Sequence, residues 1–165
     1  MSAFPLQPAL ENATPDSFVL LQIAGRRFAL AASTIAELAP PVRLHAFPHG
    51  SPLLTGVIVR RGRIVPVFDA SRALSGRTSL GHRFFLIARQ HFGDAAEMGA
   101  IPLDGECELV SGNPRPAAAD QPSYVTSEID FGADRIGVLD LQEFIRFHTA
   151  AATSAREADR AGSRS

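Results

Sequence analysis

The sequence predicts a mainly β protein made of two small β-barrels, with a few short helices. Short apolar runs rich in Val, Ile, Leu and Phe recur along the chain, and turns containing glycine separate them. This pattern is typical of antiparallel strands joined by hairpins. A motif of the first half returns in the second, which predicts two similar units. About five strands in each unit are expected to close into a barrel, because a small open sheet would leave its edges exposed.

The first half opens with a predicted hairpin. Its arms are 17–24 and 27–30, on either side of a Gly25-Arg26 turn. Thr34 and Glu37 have the spacing of a capping box, which predicts a short helix over 34–38.

A second hairpin is predicted from strands 55–60 and 63–68. Pro66 cannot donate a backbone hydrogen bond, so the second arm is expected to be an edge strand or to contain a bulge. Asp69 then fits the N-cap of a short helix over 70–74, and Gly76 fits its end.

The second half contains a similar set of elements. Asp140 is expected to cap a final helix over 141–147, and the three prolines within 111–122 predict a loop. The predicted strands of this half are 84–88, 98–103, 106–110, 124–131 and 135–139.

An internal repeat relates the two halves. The run RIVPVFD that ends at Asp69 resembles the run RIGVLD that ends at Asp140. Glu37 and Glu108 have the same spacing as these two aspartates, and each precedes a leucine.

The two ends of the chain lack apolar periodicity. Residues 1–16 are proline-rich and predict a flexible N-terminal tail, and 150–165 contain no apolar residue larger than alanine and predict a flexible C-terminal tail. The folded domain is therefore expected to span 17–149. No apolar run approaches the ~20 residues of a membrane span, and no secretory signal precedes the first strand, so we expect a cytoplasmic protein.

Residue types that perform catalysis are scarce. All 16 basic residues are arginine, which excludes a P-loop or Schiff-base lysine. His45 and His49 have the spacing of zinc ligands on a helix, but Pro48 between them argues against a helix. Cys107, the single cysteine, would be a nucleophile only if a histidine approached it. The sequence therefore favours a binding module with no enzymatic activity, cofactor or metal.

Three arginines surround a predicted turn at Gly62. Arg60, Arg61 and Arg63 could form a solvated turn or a contact patch, because guanidinium groups bind carboxylates in a bidentate manner. A nucleic-acid-binding barrel is the alternative from another class, although the net charge of −1 and the lack of interleaved aromatic residues argue against it. Glu37 and Asp69 also have a simpler interpretation as helix-capping residues.

The run GVIVRRGRIVPVFD at 56–69 resembles the signature of CheW-like domains. The IAEL run ending at Leu38, the pair Phe47-Pro48 and the run 136–144 resemble flanking elements of that family. The resemblance covers about 17–147. Val59-Arg60 stands where Asn-Leu is usual, and Ala70 stands where leucine is usual.

The resemblance implies two SH3-like five-stranded barrels and a non-enzymatic adaptor of bacterial chemosensory signalling. The implied partners are the regulatory domain of a CheA-type histidine kinase and the cytoplasmic tip of a methyl-accepting chemoreceptor, with no nucleic acid and no membrane insertion. A divergent coupling protein of a pilus-motility or other non-flagellar system is the alternative. The implied location is cytoplasmic, beside membrane receptor arrays. The residues expected at protein contacts are Glu37, Val57, Arg60, Arg61, Gly62, Arg63 and Asp69.

Overall fold

The protein consists mainly of two sheets whose strands are mostly antiparallel. The computed structural model describes residues 16–46, 48, 51, 53–77, 84–92, 95–103 and 105–163. The strands are β1 (Ser17–Ile23), β2 (Arg26–Ala31), β3 (Ile35–Ala39), β4 (Leu54–Arg60), β5 (Arg63–Phe68), β6 (Phe84–Phe92), β7 (Ala95–Leu103), β8 (Glu108–Ser111), β9 (Arg115–Pro116), β10 (Val125–Phe131) and β11 (Asp134–Leu139). The helices are α1 (Ala70–Ser75) and α2 (Leu141–Gly162), with a 3₁₀ turn at Ala32–Thr34.

Sheet A has the strand order β8-β1-β2-β11-β10-β9, and sheet B has the order β3-β6-β7-β5-β4. The predicted fold class, mainly β with two SH3-like subdomains, is confirmed. However, neither sheet is built from one half of the sequence alone. The hairpin β1–β2 of the first half pairs with β8 and β11 of the second, and the hairpin β6–β7 of the second half pairs with β3 and β5 of the first. The two halves therefore exchange strands, which ties the two subdomains together.

The helix predicted over 34–38 is wrong. Ile35–Ala39 forms strand β3, which pairs with β6. The Thr34 hydroxyl donates to the Ala31 carbonyl at 2.7 Å instead of capping a helix. Pairing with a long buried strand outweighs the local capping pattern, since helix propensity is a weak constraint.

Of the two positions predicted for the strand of Pro66, the edge is wrong, because β5 lies between β4 and β7. The pairing of β4 with β5 does contain an irregularity of the bulge type, between Leu54 and Gly56. Pro66 is opposite Val57, whose own N–H and carbonyl bond to His45 at 2.9 and 2.8 Å. Pairing of β5 with β7 is limited to Val67 and Ala100, immediately after the proline. Proline lacks a backbone N–H, and β4 does not need one at this position because the Val57 carbonyl already accepts a hydrogen bond from His45.

Two irregular segments were expected where the structure has regular elements. Within the predicted loop 111–122, Arg115–Pro116 forms β9 and pairs with β10. Helix α2 continues to Gly162, so residues 150–162 are helical rather than an irregular tail. Their alanine, arginine and glutamate are good helix formers, and exposed side chains there require no packing partner. The predicted N-terminal tail, apart from Asp16, lies outside the described residues.

Both predicted aspartate caps are confirmed. Asp69 accepts a hydrogen bond from the Arg72 amide at 3.0 Å, and Asp140 accepts from the Glu143 amide at 3.0 Å. Gly76 ends α1 with a φ of 72°. The repeat thus reproduces a strand followed by a capped helix in each half.

The largest core cluster lies between the sheets and the first turns of α2, and it includes Phe144, Leu21 and Leu86. Sheet B also encloses a smaller cluster. Its members are Ala39, Ile58, Val65, Val67, Phe85, Ile87 and Ala100. This small core forms the base on which the β4–β5 hairpin rests. Among the described helices, none has the length and apolarity that crossing a bilayer requires.

Candidate protein-interaction surface

The β4–β5 hairpin ends in a two-residue turn formed by Arg61 and Gly62. Both have positive φ, 50° and 75° respectively, as a type I′ hairpin turn requires. Arg60 and Arg63 are therefore paired directly before and after the turn. Three guanidinium groups are held at one hairpin tip.

Glu37 on β3 lies beneath this tip. Its side chain is largely buried, and Arg60 Nε donates to Glu37 Oε1 at 2.9 Å. Arg60 Nη2 contacts the same oxygen, and Arg61 Nη2 lies 3.5 Å from it. Because an unpaired buried carboxylate is costly, this ion pair fastens the hairpin tip to β3 at the end of the small core.

A groove of about 500 Å³ opens beside this ion pair. Its lining combines a cationic rim with an apolar floor. The residues are Ala36, Glu37, Arg60, Arg61, Arg63, Val65, Ile87, Arg89 and Met98. A second depression of about 400 Å³ continues from it past Arg63, Val65 and Met98 and adds Ile64, Pro66 and Glu97.

The opposite face of the hairpin is apolar and exposed. Val59 and Ile64 are direct cross-strand partners, with 54% and 72% of their surfaces accessible. Since successive side chains of a strand point to opposite faces, Val57 and Pro66 continue the same row. One hairpin therefore presents an apolar face that adjoins a charged groove, and the two surfaces meet at Ile64 and Pro66, which also line the second depression.

The structure gathers only some of the predicted contact residues. Glu37, Arg60, Arg61 and Arg63 line one groove, and Gly62 forms its turn. Two predicted residues lie elsewhere. Val57 bonds to His45 at the edge of sheet B, and Asp69 is almost fully buried as the cap of α1. Asp69 thus has a structural role as the buried cap of α1, and we do not include it in the contact surface proposed below.

Sequence reasoning missed Arg89, Met98 and Ile64 as surface residues. Arg89 follows directly after the apolar run 84–88, and its Nη1 donates to the carbonyls of Ser33 and Ile35 at 3.1 and 3.2 Å. Arginine directly after an apolar run is a usable signal, but only the sheet order places it beside Glu37. Ile64 was counted as a strand residue without its exposed face being recognised.

Other candidate chemistry lacks support from the geometry. Burial raises the pKa of Cys107 to about 12, so its thiol stays protonated and is a poor nucleophile near neutral pH. His45 forms an isolated bridge with Val57, and His49 lies outside the described residues. Within the part of the chain that the structure describes, no group of three metal-ligating side chains occurs.

Comparison with protein families matches the CheW-like domain over residues 17–149. This chain belongs to the CheW-like domain family. The match includes both sheets and the first turns of α2, and it confirms the resemblance drawn from the 56–69 motif. CheW-like proteins are scaffolds or adaptors of chemotaxis signalling, and the family has no catalytic activity.

A solved structure has the same fold as this CheW-like protein. It is described as the scaffolding protein TtCheW from Thermoanaerobacter tengcongensis, with a TM-score of 0.63 and 18% sequence identity. The similarity covers 79% of this chain and 92% of that one. A search of the curated proteins gave no match.

Proposed function

We propose that this CheW-like protein couples chemoreceptors to a CheA-type histidine kinase without catalysing a reaction. The observation that carries the proposal is the family match over 17–149. Two adjoining surfaces of one hairpin, the apolar row that includes Val59 and the groove lined by Glu37, give the adaptor a physical basis, since a coupling protein must contact two partners at once.

The exposed apolar face is assigned to the kinase. A row containing Val59 and Ile64 loses unfavourable contact with water when another apolar surface covers it. The regulatory domain of a CheA-type kinase, which the family resemblance implies has the same fold, supplies a surface of similar shape. Val57 and Pro66 extend this row along the hairpin.

The charged groove is assigned to the receptor tip. It consists of two neighbouring depressions that share Arg63, Val65 and Met98, and its rim carries polar groups that fix orientation. Glu37, Arg61 and Arg63 are the proposed contacts. Arg60 acts through Glu37, because its guanidinium group bonds to that carboxylate and positions it.

Moderate affinity is sufficient for such a coupling protein. Stable interfaces bury on the order of 1,200–2,000 Å², and micromolar binding corresponds to about −8 kcal/mol. Many contacts in one array raise the overall avidity without further contacts. This proposal includes a cytoplasmic location beside membrane receptors.

The identity of the receptor and kinase partners determines whether the protein serves a flagellar or a non-flagellar chemosensory system. Val59-Arg60 departs from the usual Asn-Leu of the signature, and both residues lie on the proposed contact hairpin. This departure favours a partner set that differs from the common one, such as that of a pilus-motility or other non-flagellar system. Binding measured against receptor tips and kinases from both kinds of system in one genome tests this choice.

Replacement of Arg61 by glutamate tests the coupling role. Its side chain is 76% exposed, so we expect loss of receptor-tip binding by a protein that remains folded, with a small fall in melting temperature from repulsion between the new carboxylate and Glu37. Arg160→Glu, at the exposed end of α2, alters the net charge equally and should bind as the wild type does. Unchanged binding by Arg61→Glu would remove Arg61 from the contact surface.

A further inference from the structure

Helix α2 continues past its buried first turns as an exposed arm, residues 150–162. The first turns are buried through Phe144 and Ile145, whereas each residue of the arm whose side chain the structure describes is exposed. Isolated helices shorter than ~12–15 residues are marginal in water, because packing of one face supplies most of the stability of a helix. The arm is therefore stabilised by a partner that covers one of its faces.

An uncharged row runs along the arm from an exposed aromatic residue. Phe147 is 44% exposed, and its ring is held edge-on against Tyr124 at 5.2 Å. Positions that recur every three or four residues lie on the same side of a helix. On this side the row consists of Phe147, Ala151, Ser154, Ala158 and Ala161. Small side chains allow another helix to approach closely, but by themselves they do not specify which helix.

The charges beside this row do specify the partner. Arg146 and Glu157 are about three helical turns apart and lie on the same flank of the row. Arg146 Nη1 donates to Glu143 Oε1 at 2.5 Å, and its side chain is 64% exposed. Since a guanidinium group has several N–H donors, it can bind a second carboxylate. Glu157 is exposed and forms no ion pair with any residue that the structure describes.

The row and the charges are complementary to an antiparallel copy of themselves. A two-fold rotation that places Phe147 over Ala158 of a second copy also brings Arg146 within one turn of that copy's Glu157. The midpoint between Arg146 and Glu157 falls within one residue of the midpoint between Phe147 and Ala158, so one axis serves both contacts. A parallel pair would instead set each charge level with the same charge of the other copy.

We propose that two copies of this chain associate through their arms as an antiparallel helix pair. Phe147 of each copy covers Ala158 of the other, and two reciprocal ion pairs join Arg146 to Glu157. The contact is about 20 Å long at a rise of 1.5 Å per residue. It is smaller than a stable interface, so the association is weak and depends on the local concentration of the protein. This surface is separate from the β4–β5 hairpin, so the inference does not rest on the proposed coupling function.

Reciprocal charge reversal tests the inference. Self-association of the full chain is measured by sedimentation equilibrium up to about 1 mM, where a dimer with a millimolar dissociation constant is half-populated. We expect Arg146→Glu and Glu157→Arg each to weaken dimerisation about 10-fold, because each variant places like charges together twice. An equimolar mixture of the two variants should recover wild-type affinity within about 3-fold, because each copy then supplies the charge that the other lacks.

Two further variants separate a specific helix pair from a general effect of charge. Arg156→Glu makes the same charge change as Arg146→Glu on the side of the helix opposite Phe147, and it should dimerise as the wild type does. Ala158→Glu keeps a good helix former at an exposed position but blocks the close approach, so it should abolish dimerisation. Melting curves verify that each variant is folded.

Four results would overturn the inference. A wild-type chain that stays monomeric over the whole concentration range excludes the pair, and a dimer that persists in Ala158→Glu must form through another surface. A mixture of Arg146→Glu and Glu157→Arg that associates no more tightly than either variant alone excludes the antiparallel arrangement. Equal weakening by Arg156→Glu would show that the flank of Arg146 and Glu157 has no special role.

Discussion

The two halves of the chain contain equivalent hairpins with opposite surface chemistry. In β4–β5 the outward pairs are Val59–Ile64 and Val57–Pro66, and in β10–β11 the pairs at the same repeat positions are Asp130–Arg135 and Glu128–Gly137. A bridging segment covers the edge of each hairpin, with His45 opposite Val57 in the first and β9 opposite Glu128 in the second. The backbone arrangement is therefore shared while the side chains on the outward face differ, and Glu128 on that face of the second hairpin is buried.

The second hairpin satisfies its own charges. Arg115 forms an ion pair with Asp130, and Arg135 lies 3.9 Å from both Asp130 and Glu128. Gln121 Nε2 also donates to Glu128 at 3.2 Å. In the first hairpin Arg60 and Arg61 share the single carboxylate of Glu37, and the apolar pair and Arg63 are left for an external partner. The comparison indicates that the β4–β5 hairpin is available for binding a partner, whereas the side chains of the β10–β11 hairpin mainly stabilise the fold.

Replacing glycines in the two hairpins should have the largest effect on the free energy of unfolding. A Cβ at Gly56 would lie 2.5 Å from the His45 carbonyl oxygen, whereas a Cβ at Gly137 would meet the Val125 side chain at 3.0 Å. Because a backbone oxygen yields less than a side chain, Gly56→Ala should lower the free energy of unfolding by about 1–3 kcal/mol. Gly137→Ala should cost less. Thermal unfolding compares them, and equal losses would contradict the close approach of His45 to β4.

Removal of the buried carboxylates gives the next effect. Glu37→Gln weakens the anchor of the partly buried Arg60, and we expect a loss of about 1–2 kcal/mol after allowing for solvent screening. Glu128→Gln should cost less, since its arginine partner is 59% exposed and 3.9 Å away. Urea unfolding of both variants measures the difference. A larger loss for Glu128→Gln would reverse the roles assigned to the two ion pairs.

Substitution of the exposed apolar pair should change binding rather than stability. Ile64→Asp is expected to weaken binding of the kinase regulatory domain about 10-fold, with a change in unfolding free energy within about 0.5 kcal/mol. Arg135→Asp, at the equivalent place in the second hairpin, should leave kinase binding unchanged. Full kinase binding by Ile64→Asp, measured by calorimetry, would exclude the apolar face as its contact.

The stability should depend slightly on pH through the helix that ends the second half, α2, and not through the helix that ends the first half, α1. Helix α1 is short, whereas α2 carries His148 against Phe144 and Tyr124, at ring distances of 4.5 and 5.4 Å. Burial lowers the pKa of His148 below its ordinary 6.5, and no described residue bonds to its buried Nε2. The neutral ring is therefore favoured in the folded protein. Stability should be complete above pH 6.5 and fall as the pH drops through the lowered pKa.

Replacement of His148 by phenylalanine isolates this effect. The variant should lose part of the decline in melting temperature between pH 7 and pH 5, while the wild type keeps it. An identical pH profile for both proteins would show that His148 does not titrate with folding.

The sequence predicts the strands and caps well, because periodic apolar runs and aspartate caps are local signals. The hairpin 55–68 and the caps at Asp69 and Asp140 required no knowledge of distant contacts. The helix expected over 34–38 failed because its fate depends on pairing with β6, far along the chain. The exchange of strands between the halves could not be predicted either, because the sequence pattern repeats within each half and does not indicate which strands pair across the halves.

The candidate site was partly predictable for the same reason. The arginines around Gly62 lie on one turn and stand out in the sequence, whereas Arg89 and Met98 reach the groove only through the order of strands in sheet B. Asp69 belongs to the recognisable motif but serves the fold, because its side chain is consumed by the cap of α1. Motif membership alone does not separate contact residues from structural ones.

Formation of a ternary complex tests the adaptor role most directly. A receptor-tip fragment, the kinase regulatory domain and this chain are mixed in pairs and together, and their co-migration is measured by analytical ultracentrifugation. The account predicts that kinase and receptor fragments sediment together only when this chain is present, and that Ile64→Asp with Arg61→Glu abolishes the complex. Equal co-sedimentation of kinase and receptor without the chain, or displacement of one partner by the other, would contradict it.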